Sequence, residues 1–240
     1  MIILKVGGSA ISNKITGESH IKEVADILCN ELPKDEKLII VVGAGYIGHK
    51  IAKENLLFKI DNNQNKWALL RYKVNENAQY LIGKLIDAGY APIEMSTSSL
   101  LKLNNNSIES FDYKLVESYA NLGFIPVLHS DAPINISGGI SILSGDVIAS
   151  ELALKLNADL LIFGTDVDGI INKQKLISKI SKSDAMKIEY WDNKDLTGGM
   201  KNKIIEVKRL KNTAIRIINI RKKGMLSNAI KRLEVGTFIE

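Results

Sequence analysis

Six strand-length apolar runs recur along the chain, and the spaces between them are of helical length. The runs are MIILKV (1–6), KLIIVV (37–42), APIEMS (91–96), FIPVLH (124–129), DLLIFG (159–164) and AIRIIN (214–219). Each run is continuous rather than alternating, as expected of a strand buried on both faces. Helical periodicity fills the intervals near 18–31, 45–55, 72–88, 113–121, 146–157, 199–211 and 225–233. Strands alternating with helices read as βαβ units, so the expectation is an α/β fold with a mostly parallel sheet covered on both faces. A polar stretch at 103–112 (LNNNSIESFD) reads as a surface turn or hairpin, and 62–80 reads as polar at first and then helical. A soft boundary falls near 135–145, which divides one 1–240 domain into halves of about 1–140 and 141–240, each a lobe of one open sheet.

The 240 residues, 45% hydrophobic and 25% charged, suffice for one large α/β core. A net charge of +5 indicates a lysine-rich surface with some attraction for anions. Nucleic acid is not an expected partner, because Lys and Arg are spread along the chain and aromatics make up only 6%. A single cysteine, Cys29, allows no internal disulfide and reads as a buried, inert thiol in a reducing compartment. The first twelve residues lack the charged n-region of a signal peptide, and no apolar run approaches 18 residues. The expectation is a cytoplasmic protein with no membrane partner.

Glycine-rich loops follow the strands. In KVGGSAISNK (5–14), Gly7 and Gly8 end a strand and let backbone N–H groups approach a ligand, with Ser9 next and Lys5 and Lys14 on either side. Lysine is a compact point charge suited to phosphate oxygens. In VVGAGYIGHKIAKE (41–54), Gly43, Ala44, Gly45 and Gly48 carry the chain from strand to helix, and His49 stands in that helix's first turns. A helix N-terminus there directs unpaired N–H groups toward an anion. GAGYIG matches the dinucleotide-binding string, but no acidic residue stands where that pattern needs one, and no GK[ST] makes a P-loop. SGD (144–146) sets Gly145 and Asp146 at the start of another helix, TDVDG (165–169) follows a buried strand, and DLTGGMKNK (195–203) places Gly198 and Gly199 five and four residues before Lys203.

The order and spacing of these loops resemble the amino acid kinase family from Met1 to the last strand. The resemblance implies a three-layer αβα sandwich, with a phosphoryl acceptor on the N-terminal half, ATP on the C-terminal half, and a homodimer. Within the family, His49 and the run ending at Lys14 are similar to the isopentenyl phosphate kinases, in which that histidine holds the acceptor's phosphate. The implied catalytic residues are Lys5, Lys14, His49 and Asp146. The acceptor is assigned to Gly7, Gly8, Ser9, Gly43, Ala44, Gly45, Gly48, His49 and Gly145. ATP is assigned to Lys5, Gly7, Thr165, Asp166, Asp168, Gly169, Gly198, Gly199 and Lys203, with Mg²⁺ held through the ATP phosphates and by no protein cage. Backbone N–H donors are expected from Gly7, Gly8, Gly43, Ala44 and Gly45, and an apolar acceptor tail is expected along 72–88 and 93–101. His20 and His129 are read as structural. Departures from the family pattern are Val42, Ala44 and Tyr46 in the second loop, Val147 after Asp146, Gly164 before TDVDG, and Ser130-Asp131 where the family has glycine–aspartate. The alternatives are a kinase of another small phosphate or phosphonate, of the fosfomycin kinase kind, and a non-catalytic nucleotide-binding protein on the same fold.

Overall fold

The computed structural model describes residues 1–13, 15–54, 64–105, 107–188 and 199–240. In chain order the elements begin with β1 (Ile2–Val6), α1 (Gly8–Ile11), α2 (Ile21–Glu31), β2 (Leu38–Val42), α3 (Gly45–Glu54) and α4 (Gln64–Asp87). Next come β3 (Pro92–Glu94), α5 (Thr97–Leu100), β4 (Leu101–Asn104), β5 (Ser107–Phe111), α6 (Tyr113–Asn121), β6 (Ile125–His129) and α7 (Gly145–Lys155). The chain continues through β7 (Leu160–Thr165), β8 (Ile171–Asn172), β9 (Lys175–Leu176), β10 (Lys179–Ile180) and α8 (Lys182–Ala185). It closes with α9 (Gly199–Val207), β11 (Ala214–Asn219), α10 (Met225–Ile230) and β12 (Thr237–Ile239).

Among the described residues the main sheet runs β10-β12-β11-β7-β1-β2-β6-β3, and its pairs are parallel except β11 with β12. This is the expected α/β sheet. All six apolar runs contribute its strands. The antiparallel closing strand β12 and the short β10 were too brief to show in the sequence. The polar stretch at 103–112 forms most of the β4–β5 hairpin. Helix α4 begins at Gln64, earlier than expected. Its opening residues are polar and exposed, while Trp67, Leu70 and Val74 recur on one buried face.

Side-chain alternation along β1 positions the chemistry. Ile2, Leu4 and Val6 enter one core with α2, α4 and α10, while Ile3 enters the other, with Val41, Phe163 and helices α7 and α9. Lys5 shares the face of Ile3, so its side chain emerges beneath α7. Strand β1 lies between β2, reached through α1 and α2, and β7, which leads on to β11. Connections leave these neighbours in opposite directions, and such a switch point opens a crevice at the strands' carboxyl ends.

Candidate active site

The loops after β1 and β2 lie backbone against backbone. A Cβ at Gly8 would stand 2.8 Å from Gly45 N, and one at Gly43 would overlap Gly8 N. Gly7 and Gly43 do not supply the free N–H donors expected of them. The Gly7 N–H donates to Gly164 O at 2.7 Å and the Gly43 N–H to Val6 O at 2.8 Å. Their role is to let two turns touch. Gly8 and Gly45 open α1 and α3, where the first N–H groups have no intrahelical acceptor. Gly45 has φ +67°, which favours glycine. Gly48 lets α3 approach α4, since a Cβ there would stand 2.9 Å from Val74 Cγ2.

These loops wall a cavity of about 830 Å³. Lys5, Gly8, Ser9, Gly43, Ala44, Gly45, Gly48, His49, Gly145, Asp146 and Lys203 line it, which gathers most of the residues named from the sequence. At its base Asp146, in the first turn of α7, receives Lys5 Nζ at 2.9 Å and Lys203 Nζ at 3.1 Å. The carboxylate and both lysine side chains are almost wholly covered. Burial alone would raise the Asp146 pKa, but the charges of Lys203 and Lys5 outweigh it and lower it to about 2. One ionised carboxylate therefore holds two ammonium groups, from β1 and α9, at a single point. Ser144 caps α7, its side chain accepting the Val147 N–H at 3.3 Å.

Several lining residues were given no binding or catalytic role from the sequence, although Ser130, Asp131 and Ser144 stood in stretches noted there. Asp131, at the end of β6, is buried and accepts from Arg71 Nε at 2.8 Å, Ala132 N at 2.8 Å and Ser98 N at 2.9 Å. Burial pushes its pKa up, yet the hydrogen bonds from Ser98 and Arg71 and the nearby His129 leave it below the ordinary carboxylate range. Ser130 and Ser144 also line the cavity, and Leu70, Val74, Ala132, Ile142 and Leu143 form an apolar wall. That wall comes from the N-terminal turns of α4 and from the approach to α7. Among the described residues none of 93–101 lines the cavity, and of 72–88 only Val74 takes part. Arg71 was legible as a cation on a helix, but nothing in its neighbourhood marked it as facing a pocket.

Among the described residues, Thr165, Asp166, Asp168 and Gly169 do not line this cavity. The Thr165 hydroxyl is buried within hydrogen-bond distance of two acceptors, Val167 O at 2.9 Å and Ile218 O at 3.1 Å, and accepts the Val167 N–H at 3.2 Å, so it braces its own turn. Asp168 is held by Lys222 at 2.7 Å and Asn219 at 3.1 Å, and hydrogen bonds from both lower its pKa. Asp166 is exposed beside it. Gly169 is required by packing, because a Cβ there would stand 2.5 Å from Thr237 Oγ1. This turn leaves the end of β7, next to the Gly7–Gly164 contact. Gly199 opens α9, while Lys14 and Gly198 lie outside the described residues. Tyr46 lines the cavity, and its ring packs on Gly17. His129 is buried with Nδ1 2.8 Å from Ser130 O, and His20 immediately precedes α2, consistent with structural roles. Among the described residues no group of three His, Cys, Asp or Glu could hold a metal ion.

A doubly covered parallel sheet with glycine turns and buried lysines at its carboxyl edge is suited to holding phosphate groups. The model of the amino acid kinase family matches residues 1–219, and the chain belongs to that family. It is 33% identical over 232 residues to an isopentenyl phosphate kinase of Methanocaldococcus jannaschii, with 88% of each chain covered. The isopentenyl phosphate kinase of Methanothermobacter thermautotrophicus is 30% identical over all of this chain and 98% of its own. Among solved structures, one of isopentenyl phosphate kinase superposes with a TM-score of 0.82 at 28% identity over the full length of both chains. A UMP kinase of Bacillus anthracis, at 17% identity and a TM-score of 0.70, shares the fold alone.

Proposed function

We propose that this chain is an ATP-dependent kinase that converts isopentenyl phosphate to isopentenyl diphosphate. The observation that carries the reading is one cavity with three parts. The Lys5–Asp146–Lys203 centre lies at its base, a helix N-terminus with His49 forms one side, and an apolar wall forms another. The full-length similarity to isopentenyl phosphate kinases supports the same substrate.

In the reaction an oxygen of the acceptor's phosphate forms a bond to the γ-phosphorus of ATP. The bond from that phosphorus to the β–γ bridging oxygen breaks, and ADP leaves with the electron pair. Phosphoryl transfer asks chiefly for alignment and charge neutralisation. Lys5 and Lys203, fixed by Asp146, meet the charge on the transferring group. The N–H groups of Gly8, Ala44 and Gly45 meet the acceptor's phosphate, and His49 clamps it with a hydrogen bond and, when protonated, a charge. Lys14 joins this set as in the family pattern. Leu70, Val74, Ala132 and Ile142 receive the five-carbon tail. The nucleotide lies over the C-terminal half, against the 165–169 turn and the 198–203 segment. Mg²⁺ carried on the ATP phosphates would spread their charge. No general base is needed, because the attacking oxygen is already anionic. As in the family, the working unit is a homodimer, placed in the cytoplasm and in isoprenoid biosynthesis by the mevalonate route.

A second reading, a kinase of another small phosphate or phosphonate, rests on Arg71. Its guanidinium lies on the wall that would receive the tail and would suit a polar group there. Phosphorus NMR of the enzyme with ATP, Mg²⁺ and isopentenyl phosphate separates the two. The proposal predicts loss of the monophosphate signal and growth of paired diphosphate signals. An unchanged acceptor signal, with turnover of a phosphonate in its place, would overturn it.

A further inference from the structure

Ser130 immediately follows β6 where the family pattern has glycine, and it lies on the cavity wall with Lys5, Gly145 and Asp146, only 7% exposed. Its backbone groups are engaged. The N–H donates to Val42 O at 2.8 Å, and the carbonyl oxygen lies 2.8 Å from His129 Nδ1. Its Oγ accepts the Gly145 N–H at 2.9 Å. A hydroxyl carries one donor and two acceptor lone pairs, and among the described residues no acceptor takes the Ser130 proton. A buried donor left unused is costly, so a ligand is the partner to look for.

Three features specify that ligand. Gly145 is the first residue of an 11-residue helix, so the N–H that Ser130 accepts belongs to the helix's positive end. A hydroxyl that accepts such a bond becomes a stronger donor in turn. Its surroundings are cationic as well. Ser130 Oγ stands 3.0 Å, and Lys5 Cε 3.3 Å, from the point where a Cβ on Gly145 would sit. The hydroxyl therefore flanks the Lys5–Asp146–Lys203 centre and not the wall formed by α3. A strengthened donor beside Lys5 matches an anionic oxygen, and an apolar tail offers none.

We propose that the Ser130 hydroxyl donates a hydrogen bond to a non-bridging oxygen of the transferring phosphoryl group, relaying to it the N-terminal N–H of α7. This rests on the kinase reading, and wild-type turnover tests that reading by itself. The test of Ser130 compares turnover with ATP and with ATPγS, in which sulfur replaces a γ-phosphoryl oxygen and accepts hydrogen bonds weakly. The ratio of the two rates is measured in wild type, Ser130→Ala and Ser130→Thr, with melting temperatures alongside.

The expected result is about a tenfold fall in kcat with ATP for Ser130→Ala, a smaller fall with ATPγS, and so a ratio several-fold below wild type. Ser130→Thr, which keeps the hydroxyl, retains the wild-type ratio. If Ser130 only braces Gly145, both rates fall together. An unchanged ratio in Ser130→Ala would therefore overturn the proposal, even with a lowered kcat or melting temperature. Should wild type turn over no acceptor, the same three proteins are titrated with pyrophosphate. The proposal then predicts about tenfold weaker binding for Ser130→Ala alone, and equal affinities overturn it.

Discussion

Two buried aspartates line this cavity, and they are satisfied in different ways. Asp131 takes two backbone N–H groups and one arginine whose side chain is 42% exposed. Asp146 takes two lysines that are themselves almost buried. A carboxylate bonded to backbone N–H groups fixes a turn, here the junction of β6, α5 and α4. A carboxylate that holds lysines fixes cations, which a phosphoryl group can then meet without reorganisation. Both pKa values are lowered, so a shifted pKa does not by itself separate an acid proposed to brace a turn from one proposed to serve phosphoryl transfer. The donors separate them.

The largest effect expected on this view is at Lys5. Lys5→Ala should reduce kcat about a thousandfold or more, the scale seen when a charge on a transferring phosphoryl group is removed. A steady-state assay with a melting curve checks it, and a mild loss would refute the role given to Lys5. Asp146→Asn keeps the shape and removes the charge that gathers the lysines. About a hundredfold loss of kcat should follow, since a preorganised electrostatic contact is worth that much. His49→Ala should raise the KM for the acceptor about tenfold or more and leave that for ATP within twofold, as expected for one lost charge-assisted hydrogen bond. Asp131→Asn should cost about 1–3 kcal/mol of stability, because buried donors lose their acceptor, and leave kcat within about threefold. A large kcat loss in Asp131→Asn, with full retention in Asp146→Asn, would reverse the comparison.

Acid stability sharpens the contrast further. The folded Asp146 pKa is about 2, below the ordinary value of 3.8, so its contribution is fully present above about pH 4. It is lost as the pH falls from there through 2. The integrated contribution is about 2 kcal/mol, since each tenfold change in proton affinity between the unfolded and folded chain is worth about 1.4 kcal/mol. Denaturant titrations of wild type and Asp146→Asn between pH 5 and pH 2 should show that part of the acid dependence disappearing in the variant.

How much of this was legible in the sequence followed from local pattern. The apolar runs of β1, β2, β6, β7 and β11 were visible because strands buried on both faces need no alternation, while β3 is a half-buried edge strand. Lys5, Asp146 and Lys203 were legible because each lies beside a glycine turn or a helix start. Helix α4 was read short because its polar first turn hid the spacing of Trp67, Leu70 and Val74. Asp131 was visible as part of the family's glycine–aspartate position, but Arg71 and its pairing with Asp131 were hidden, because the two lie 60 residues apart. Gly7, Gly43 and Gly169 were read as ligand glycines, although the positions require glycine because other backbone or side-chain atoms approach there. Local sequence cannot tell a backbone that must admit a ligand from one that must admit another strand or turn.

The measurement that tests the central claim most directly is ATP-dependent ADP release, with wild type and His49→Ala side by side. The acceptors are isopentenyl phosphate, dimethylallyl phosphate, fosfomycin, N-acetylglutamate and UMP. The account predicts the highest wild-type kcat/KM on isopentenyl phosphate and its collapse in the variant through KM. Turnover confined to another acceptor, or an isopentenyl phosphate KM that His49→Ala leaves unchanged, would contradict it.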